Sequence, residues 1–356
     1  MTSQPSLRIA DCGLRIQIHN PIHNAIHNAI RNPHSAIRNT ALLAAVCVLL
    51  ASPMGAQSLS YTKGQNISPA YEGWEQASDG SRYFLFGYMN RNWEEEIDVP
   101  VGADNGFNLG GADQGQPTHF LPRRNRFVFR VKVPAGFTEK DELIWTLTTH
   151  GKTEKAYATL RPDYVVDDVV KASETGALGA GTSSPEVRGN VPPVVHIQEV
   201  KARTVKTGEP ITLVSDVKDD GIPKRRQPPS FAALAAIQKR LADDPVLAAA
   251  LRNPTMSPPS RITVGKSLGL HVSWFIYRGP VGGKVAFDPP QVKAWEDTRA
   301  GANSPWAPQW AAPKLPDDGK QPVQVTFSEP GTYVLRCRAD DGALVADEEV
   351  TIVVVR

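Results

Sequence analysis

The sequence predicts an all-β protein built from two β-sandwich domains, the second of which carries a helical insertion. Thirty prolines and 28 glycines interrupt the chain too often for long helices, and they favour short strands joined by turns. Apolar residues make up 41% and charged residues 21% of the chain, a composition typical of globular proteins. A length of 356 residues accommodates two or three domains of ~100–200 residues, and two is the simplest division.

Residues 1–56 are predicted to be a low-complexity leader followed by a signal peptide. An Ile-His/Arg-Asn unit repeats through residues 17–39 without the periodicity of a core-forming segment. Arg38 then precedes an apolar run of 11 residues, 41–51, which has the length of a signal-peptide core. The run is shorter than the ~20 apolar residues of a membrane-spanning helix. We therefore expect export, cleavage near Ala56 and no permanent membrane span.

Loss of the leader changes the charge and the cysteine content of the chain. It removes four of the 39 basic residues and one of the 37 acidic residues, which leaves 35 and 36 and a net charge of −1. A near-neutral chain lacks the basic surface that nucleic acid requires, so nucleic acid is not an expected partner. Cys12 and Cys47 also leave, so Cys337 has no internal disulfide partner. It is predicted to be a buried apolar residue in preference to an intermolecular thiol.

The first half of the exported chain, residues 57–171, shows the period of two that is typical of half-buried strands. Phe127, Phe129, Val131 and Val133 are apolar, with the charged residues Arg126, Arg130 and Lys132 interleaved and Val128 as the one exception. Further strands are predicted at Arg82–Tyr88, Glu142–Thr148 and Lys155–Leu160, the last two joined by a turn at His150-Gly151. We interpret this half as an antiparallel sandwich of no assigned family. Residues 172–193 follow as a predicted linker, because Gly, Ala, Ser, Thr and Pro dominate them.

The second half, residues 194–356, contains a more specific pattern. Residues 330–355 alternate as two strands around an Asp-Asp-Gly turn, 209–221 form another strand with an acidic turn, and 271–277 form a strand with Trp274 inward. Together they resemble an immunoglobulin-like domain of the PKD or bacterial surface type. The resemblance implies a β-sandwich in which Tyr333, Leu335, Cys337 and Ala339 face the core. It implies no antibody-like disulfide, because no cysteine lies opposite Cys337.

Residues 230–252 depart from the β pattern and lie within a predicted helical insertion at about 222–262. They are rich in Ala and Leu, with Ser230 placed to cap one helix and Asp244-Pro245 placed to start another. We expect a helical hairpin packed on its own domain in preference to a helix that binds a partner.

Sequence motifs of catalysis are missing, and no catalytic or cofactor-binding residue is predicted. The exported chain keeps His119, His150, His196 and His271, no two of them closer than 31 residues. It has no H-E-x-x-H, C-x-x-C, G-x-S-x-G or Gly-rich phosphate loop. The absence of these motifs counts against an enzyme. Folding can still gather distant residues into a catalytic triad, so sequence spacing alone does not decide the point.

One run of acidic residues and one run of basic residues are considered for a catalytic role. Glu94, Glu95, Glu96 and Asp98 suggest the paired acids of glycoside hydrolysis, which must face each other across a cleft. A charged strand edge that prevents aggregation is the favoured interpretation, because neighbours in a strand point to opposite faces. Arg123, Arg124 and Arg126 are then a solvated turn or partners of those acids.

Four aspartates suggest a calcium site. Asp219 and Asp220 follow one strand of the immunoglobulin-like half, Asp340 and Asp341 follow another, and both turns are expected at the same pole. Oxygen ligands from two loops suit Ca²⁺. The favoured alternative is that Asp-Asp-Gly is simply good turn chemistry.

Trp306 and Trp310 are the candidate partner-binding residues. They lie in a Pro-rich segment, 295–310, that holds three of the seven tryptophans. The segment is expected either to fold back and cover its domain or to present the two rings to a partner.

These observations favour an exported, non-catalytic binding, adhesion or structural module of the bacterial periplasm or cell surface, with a protein or polysaccharide partner. The alternative is an accessory protein that binds or processes polysaccharide. Opposed carboxylates across a cleft would favour the alternative.

Overall fold

Paired β-sheets dominate the part of the chain that the computed structural model describes, namely residues 63–175, 185–200, 203–224, 231–246, 268–294 and 315–356. The predicted leader lies outside this part, so its cleavage stays a prediction. The all-β fold class is confirmed, because sixteen strands form the described sheets. Within the described residues, no helix is long and apolar enough to cross a membrane.

The first sandwich uses eight strands and two main sheets. One sheet has the order β1-β2-β6 and the other β4-β7-β8, while β3 and β5 pair with each other. The strands are β1 Ile67–Gln76, β2 Arg82–Asn90, β3 Ile97–Asp98, β4 Asn105–Phe107, β5 His119–Phe120, β6 Arg123–Lys132, β7 Leu143–Thr149 and β8 Lys152–Ala158. Aromatic rings fill the core, where Phe86 stacks on Phe129 at 5.4 Å and meets Trp145 edge-on at 5.9 Å.

The predicted turn between β7 and β8 is confirmed. His150 and Gly151 have φ angles of 49° and 72°, and the flanking residues Thr149 and Lys152 pair directly. Two consecutive positive φ angles are the signature of the type I′ turn, whose twist matches that of the strands it joins.

The second sandwich has the strand order of an immunoglobulin-like domain. Its sheets are β13-β14-β11-β9 and β10-β16-β15-β12, with β10 parallel to β16. The strands are β9 Val194–Ile197, β10 Thr204–Lys206, β11 Ile211–Lys218, β12 His271–Arg278, β13 Val285–Asp288, β14 Lys320–Phe327, β15 Gly331–Asp340 and β16 Val345–Val355.

Three core residues of the second sandwich lie where the resemblance implied. Trp274 of β12 is 1% exposed, and Tyr333 and Cys337 of β15 are fully buried. The Tyr333 hydroxyl donates a hydrogen bond of 2.9 Å to the carbonyl of Glu329, four residues upstream. This contact ties the start of β15 to the preceding turn, as tyrosine corners do in this fold.

The predicted linker differs from the structure where residues 172–193 are described. Helix α1, Asp168–Thr175, extends into it, and a short helix α2, Pro185–Arg188, follows. Ala172 and Val187 form a small buried cluster with Ala343 and Leu344 of the second sandwich. These two residues of the predicted linker are therefore packed against the second sandwich, while the assignment of 172–193 as a linker stays a prediction.

Helix α3, Phe231–Asp243, lies between β11 and β12 in the chain. Ser230 and residues 247–262 lie outside the described part, so the helical hairpin stays a prediction. The described chain from residue 63 onward belongs to one compact unit, Leu59–Arg356. The domain boundaries at 57, 171 and 194 stay predictions.

Candidate functional site: the interface between the sandwiches

The first sandwich covers the outer face of the sheet β10-β16-β15-β12. Strand alternation directs Phe275 and Tyr277 of β12, and Arg336 and Arg338 of β15, away from the core of their own sandwich. All four are nevertheless at most 8% exposed. Tyr277 belongs to the buried core of the first sandwich. We call this surface, defined by Phe275, Tyr277, Arg336 and Arg338, the covered face.

Arg336 lies at the centre of the covered face. Its guanidinium lies 3.5 Å from the ring centroid of Tyr277, and its Nη1 donates a 2.5 Å hydrogen bond to the carbonyl of Val128 in the first sandwich. Its Nε also donates to Glu349 at 3.0 Å. The Arg336 side chain therefore contacts both sandwiches. It makes a cation–π contact with Tyr277 and donates hydrogen bonds to Val128 and Glu349.

Arg338 and Asp347 form a second charged pair next to Arg336. They lie directly opposite each other in the β15–β16 register, and two N–H groups donate to the carboxylate at 2.7 Å each. Burial would raise the pKa of Asp347, but the charges of Arg338 and Arg336 outweigh it and hold that pKa below its usual value.

Lys293 provides a further link across the interface. It is 6% exposed, and its Nζ donates to Oδ1 of Asn125 in β6 at 2.7 Å. The Asn125 amide in turn donates to the carbonyls of Pro122 and Arg123 at 3.2 and 3.1 Å. The amide oxygen of Asn125 thus accepts a hydrogen bond and its amide nitrogen donates hydrogen bonds. These contacts orient the amide and so fix the position of the Lys293 ammonium.

The end of β12 binds the segment before β5. Arg278 donates from Nη1 and Nη2 to the two carboxylate oxygens of Asp113 at 3.0 and 2.8 Å, and its Nε donates to the carbonyl of Gln116. The backbone N–H of Thr118 donates to the carbonyl of Tyr277 at 3.2 Å. Hydrogen bonds to Arg278 lower the pKa of Asp113. Bidentate pairing of this kind fixes orientation as well as distance.

His119 lies between two carboxylates at the same interface. Its Nδ1 is 2.7 Å from Asp98 and its Nε2 is 3.2 Å from Glu96, while Asp98 also accepts from the backbone N–H of Gly282 at 2.9 Å. Burial would lower the pKa of His119, but its hydrogen bonds to the two acids outweigh burial and raise the pKa to about 9. A protonated imidazole has no lone pair with which to accept a proton. The imidazole of His119 therefore pairs as a cation with both Asp98 and Glu96 at neutral pH.

The predicted acid and base runs have different partners from those expected. Glu96 and Asp98 face His119, whereas Glu95 is 3.2 Å from His150. Arg124 and Arg126 pair with Glu72 of β1, whose side chain is 4% exposed, and not with the acid run. No spacing in the sequence points to these pairs, because Glu72 is more than 50 residues from Arg124.

A cleft of about 100 Å³ is lined by residues of both halves of the chain. Arg126, Phe127, Asp168 and Lys171 line it from the first half of the chain, and Leu344 and Val345 line it from the second.

The two Asp-Asp-Gly turns each bind one of two consecutive residues, Asn190 and Val191. Asp341 accepts from the Asn190 amide at 2.8 Å, and Asp220 accepts from the backbone N–H of the next residue, Val191, at 3.2 Å. Burial raises the pKa of Asp341 to about 6.

The same carboxylates also accept from backbone N–H groups within their own turns. Asp219 accepts from Gly221 at 2.9 Å and Asp340 accepts from Gly342 at 2.8 Å. This is the turn chemistry that was the favoured alternative. Among the described residues, no group of three or more His, Cys, Asp or Glu side chains could hold a metal ion. The calcium site stays a prediction.

Two other predicted residues have different outcomes. Cys337 is fully buried, and burial raises the pKa of its thiol to about 12. Trp306 and Trp310 lie outside the described residues, so their role as partner-binding residues stays a prediction.

Comparisons with known proteins give a weak likeness to solved structures. No protein-family model matches the chain, and no curated protein matches it. A conjugative transposon lipoprotein from Bacteroides eggerthii is 10% identical, with 45% of this chain and 96% of that chain covered and a TM-score of 0.22.

Two further solved structures are similar at the same level. The D00-D0 domain of Intimin is 11% identical over 81% of this chain and 100% of that chain, with a TM-score of 0.21. The Yersinia pseudotuberculosis adhesin InvE is 9% identical over 84% of this chain and 61% of that chain, with a TM-score of 0.22. The immunoglobulin-like order of the second sandwich therefore rests on the pairing of its own strands.

Proposed function

We propose that the protein is an exported, non-catalytic binding or structural module of the bacterial periplasm or cell surface. In this proposal the two sandwiches act as one rigid body that presents a composite surface to a protein or polysaccharide partner.

The covered face is the observation that carries the proposal. Domains joined by small polar interfaces move relative to each other by default. Here Arg336 and Lys293 are at most 6% exposed, and both donate to acceptors in the other sandwich. Breaking such contacts leaves buried polar groups without partners, which costs more than separating two wet surfaces. A fixed arrangement of sandwiches suits a protein whose task is to hold surfaces at a set distance.

The signal-type leader supports export. The test is to express the full chain with a C-terminal tag in a bacterium and to measure its distribution among cytoplasm, periplasm, membranes and medium. A control variant, Val46→Arg with Val48→Arg, interrupts the apolar run. We expect the unchanged chain outside the cytoplasm and the variant inside it. Cytoplasmic location of both would overturn the proposal.

Binding is tested on the exported material. The tagged chain is incubated with isolated cell envelopes and with purified envelope polysaccharide, and the captured fraction is compared with that of an unrelated exported protein. Saturable capture supports a binding module. Turnover of any envelope component by the purified chain would contradict the non-catalytic assignment.

A further inference from the structure

The cleft has walls from both sandwiches, so its shape depends on the interface described above. Phe127 and Asp168 face Leu344 and Val345 across it. Binding sites often lie where two domains meet, because neither surface alone is concave there.

The charges around the cleft are already balanced by neighbouring groups. The Lys171 ammonium lies 2.6 Å from Glu75 and 3.3 Å from Asp168, and Arg126 lies 3.4 Å from Glu72. A strongly charged ligand would disturb these pairs, whereas a neutral one would not. The paired groups keep hydrogen-bonding capacity, since the Asp168 side chain is 58% exposed.

Phe127 brings a half-buried aromatic ring to the cleft through an unusual backbone. Between the pairs Phe86–Phe129 and Tyr88–Asn125, β2 has the single residue Gly87 while β6 has three residues. Phe127 lies in this bulge with a φ of 47°, which is rare for a bulky residue. Bulges re-aim side chains, and strain of this kind concentrates at functional sites.

The bulge is sterically fixed on its other side. A Cβ at Gly87 would lie 2.3 Å from the Glu72 carboxylate and 2.5 Å from the carbonyl of Asn125. Only glycine lets the buried Glu72 side chain pass to the arginines of β6.

Exposed valines lie within three residues of two cleft-lining residues in the chain. Val165, Val169 and Val170 are close in sequence to Asp168, and Val191 and Val194 are close to Pro192, which also lines the cleft. Each of these valines is at least 36% exposed. Exposed apolar side chains in such segments are typical of a contact surface.

We propose that the cleft binds one neutral sugar unit of a glycan. The volume of about 100 Å³ excludes a helix and admits only one face of a single sugar ring. The charge balance favours an uncharged ligand, and sugars present both an apolar C–H face and hydroxyl groups. The C–H face would pack on Phe127, and the hydroxyls would bond to Asp168 and Arg126. This inference rests on the proposed function as a binding module and names its ligand class.

The test uses an array of neutral oligosaccharides of glucose, galactose, mannose and N-acetylglucosamine, with the full chain as the probe. Asp168→Ala removes the exposed acceptor, and Asp163→Ala is its control, an exposed acid that does not line the cleft. Val345→Trp fills the cleft, and Val353→Trp is its control on the same strand. Melting curves establish that each variant is folded.

We expect the unchanged chain to bind at least one of these sugars. Asp168→Ala removes a hydrogen bond to a charged group, which corresponds to a loss of at least about tenfold in affinity. Val345→Trp fills the space that the sugar would occupy, and we expect it to lower the affinity at least as much. The two control variants should change the affinity for the sugar by less than about twofold. If Val345→Trp fails to fold, Asp168→Ala decides.

The outcomes separate this inference from the proposed function. Sugar binding that both cleft variants leave unchanged overturns the cleft while the binding module stands. Capture on cell envelopes without binding to any sugar on the array overturns the ligand class alone. Cytoplasmic location and no capture overturn the proposed function itself.

Discussion

Replacing Arg336 by alanine is expected to lower the free energy of unfolding by about 3 kcal/mol. The change removes the only side chain described above that contacts Val128, Tyr277 and Glu349 together. We expect the effect to appear as a weaker interface between the sandwiches and not as loss of either core, because Arg336 belongs to neither hydrophobic cluster.

The magnitude follows from three contacts. The buried carbonyl of Val128 loses its donor, which costs about 1–3 kcal/mol. Loss of the guanidinium at 3.5 Å from the Tyr277 ring costs about 1–2 kcal/mol in a desolvated site. The Glu349 side chain is 40% exposed, so its pairing contributes at most about 1 kcal/mol. These contributions overlap, and about 3 kcal/mol is the expected total.

The assay is urea unfolding of both variants with small-angle X-ray scattering of the native proteins. Arg130→Ala is the matched control, because Arg130 also lies over a ring, Tyr83 at 4.5 Å, but its side chain is 59% exposed. Its loss should cost less than about 1 kcal/mol. The reasoning would be refuted if both variants lost the same free energy of unfolding. It would also be refuted if Arg336→Ala lost a large free energy of unfolding while its radius of gyration stayed unchanged.

Four further predictions follow from other parts of the molecule. The raised pKa of His119, about 9, gives stability that is complete below pH 6.5 and is lost as pH rises through 9. In a His119→Asn variant, the free energy of unfolding, measured with urea at each pH, should lack that decline. Cys337 should react slowly with a thiol reagent in native protein and rapidly in denaturant, and rapid native labelling would contradict its burial. Millimolar Ca²⁺ should raise the melting temperature above that in chelator if the Asp-Asp-Gly turns bind it, and identical curves would rule the site out. Trp306→Ala with Trp310→Ala should cost several kcal/mol if the segment covers its domain, or should lose partner binding at an unchanged melting temperature if it contacts a partner.

Strands with regular alternation were predictable from the sequence, and irregular ones were not. Strands β7, β12 and β15 lie within two residues of their expected positions, because each has apolar residues at every second position and a turn at its end. Strand β1 was missed because its pairing with β2 shifts between Tyr71 and Gly73. Strands β3 and β5 have two residues each, too few for any period to show.

The interface was harder to predict, although one signal pointed to it. Residues 271–277 carry aromatic side chains on both faces, since Trp274 points into the core while Phe275 and Tyr277 point out. A strand that is apolar on both faces is typically buried on both. The His119 pairs had no such signal, because its partners lie more than 20 residues away. Only the folded chain brings them together.

The place of Tyr277 has a consequence for the order in which the chain is made. The first sandwich ends its strands at residue 158, yet its core includes a ring that follows more than 100 residues later. During synthesis, the strands of the first sandwich therefore have an incomplete core until β12 has been made. Pairings of such long range form slowly and expose apolar surface in the meantime. A chain truncated before residue 271 should consequently aggregate, whereas the complete chain buries the same surface with its own second half.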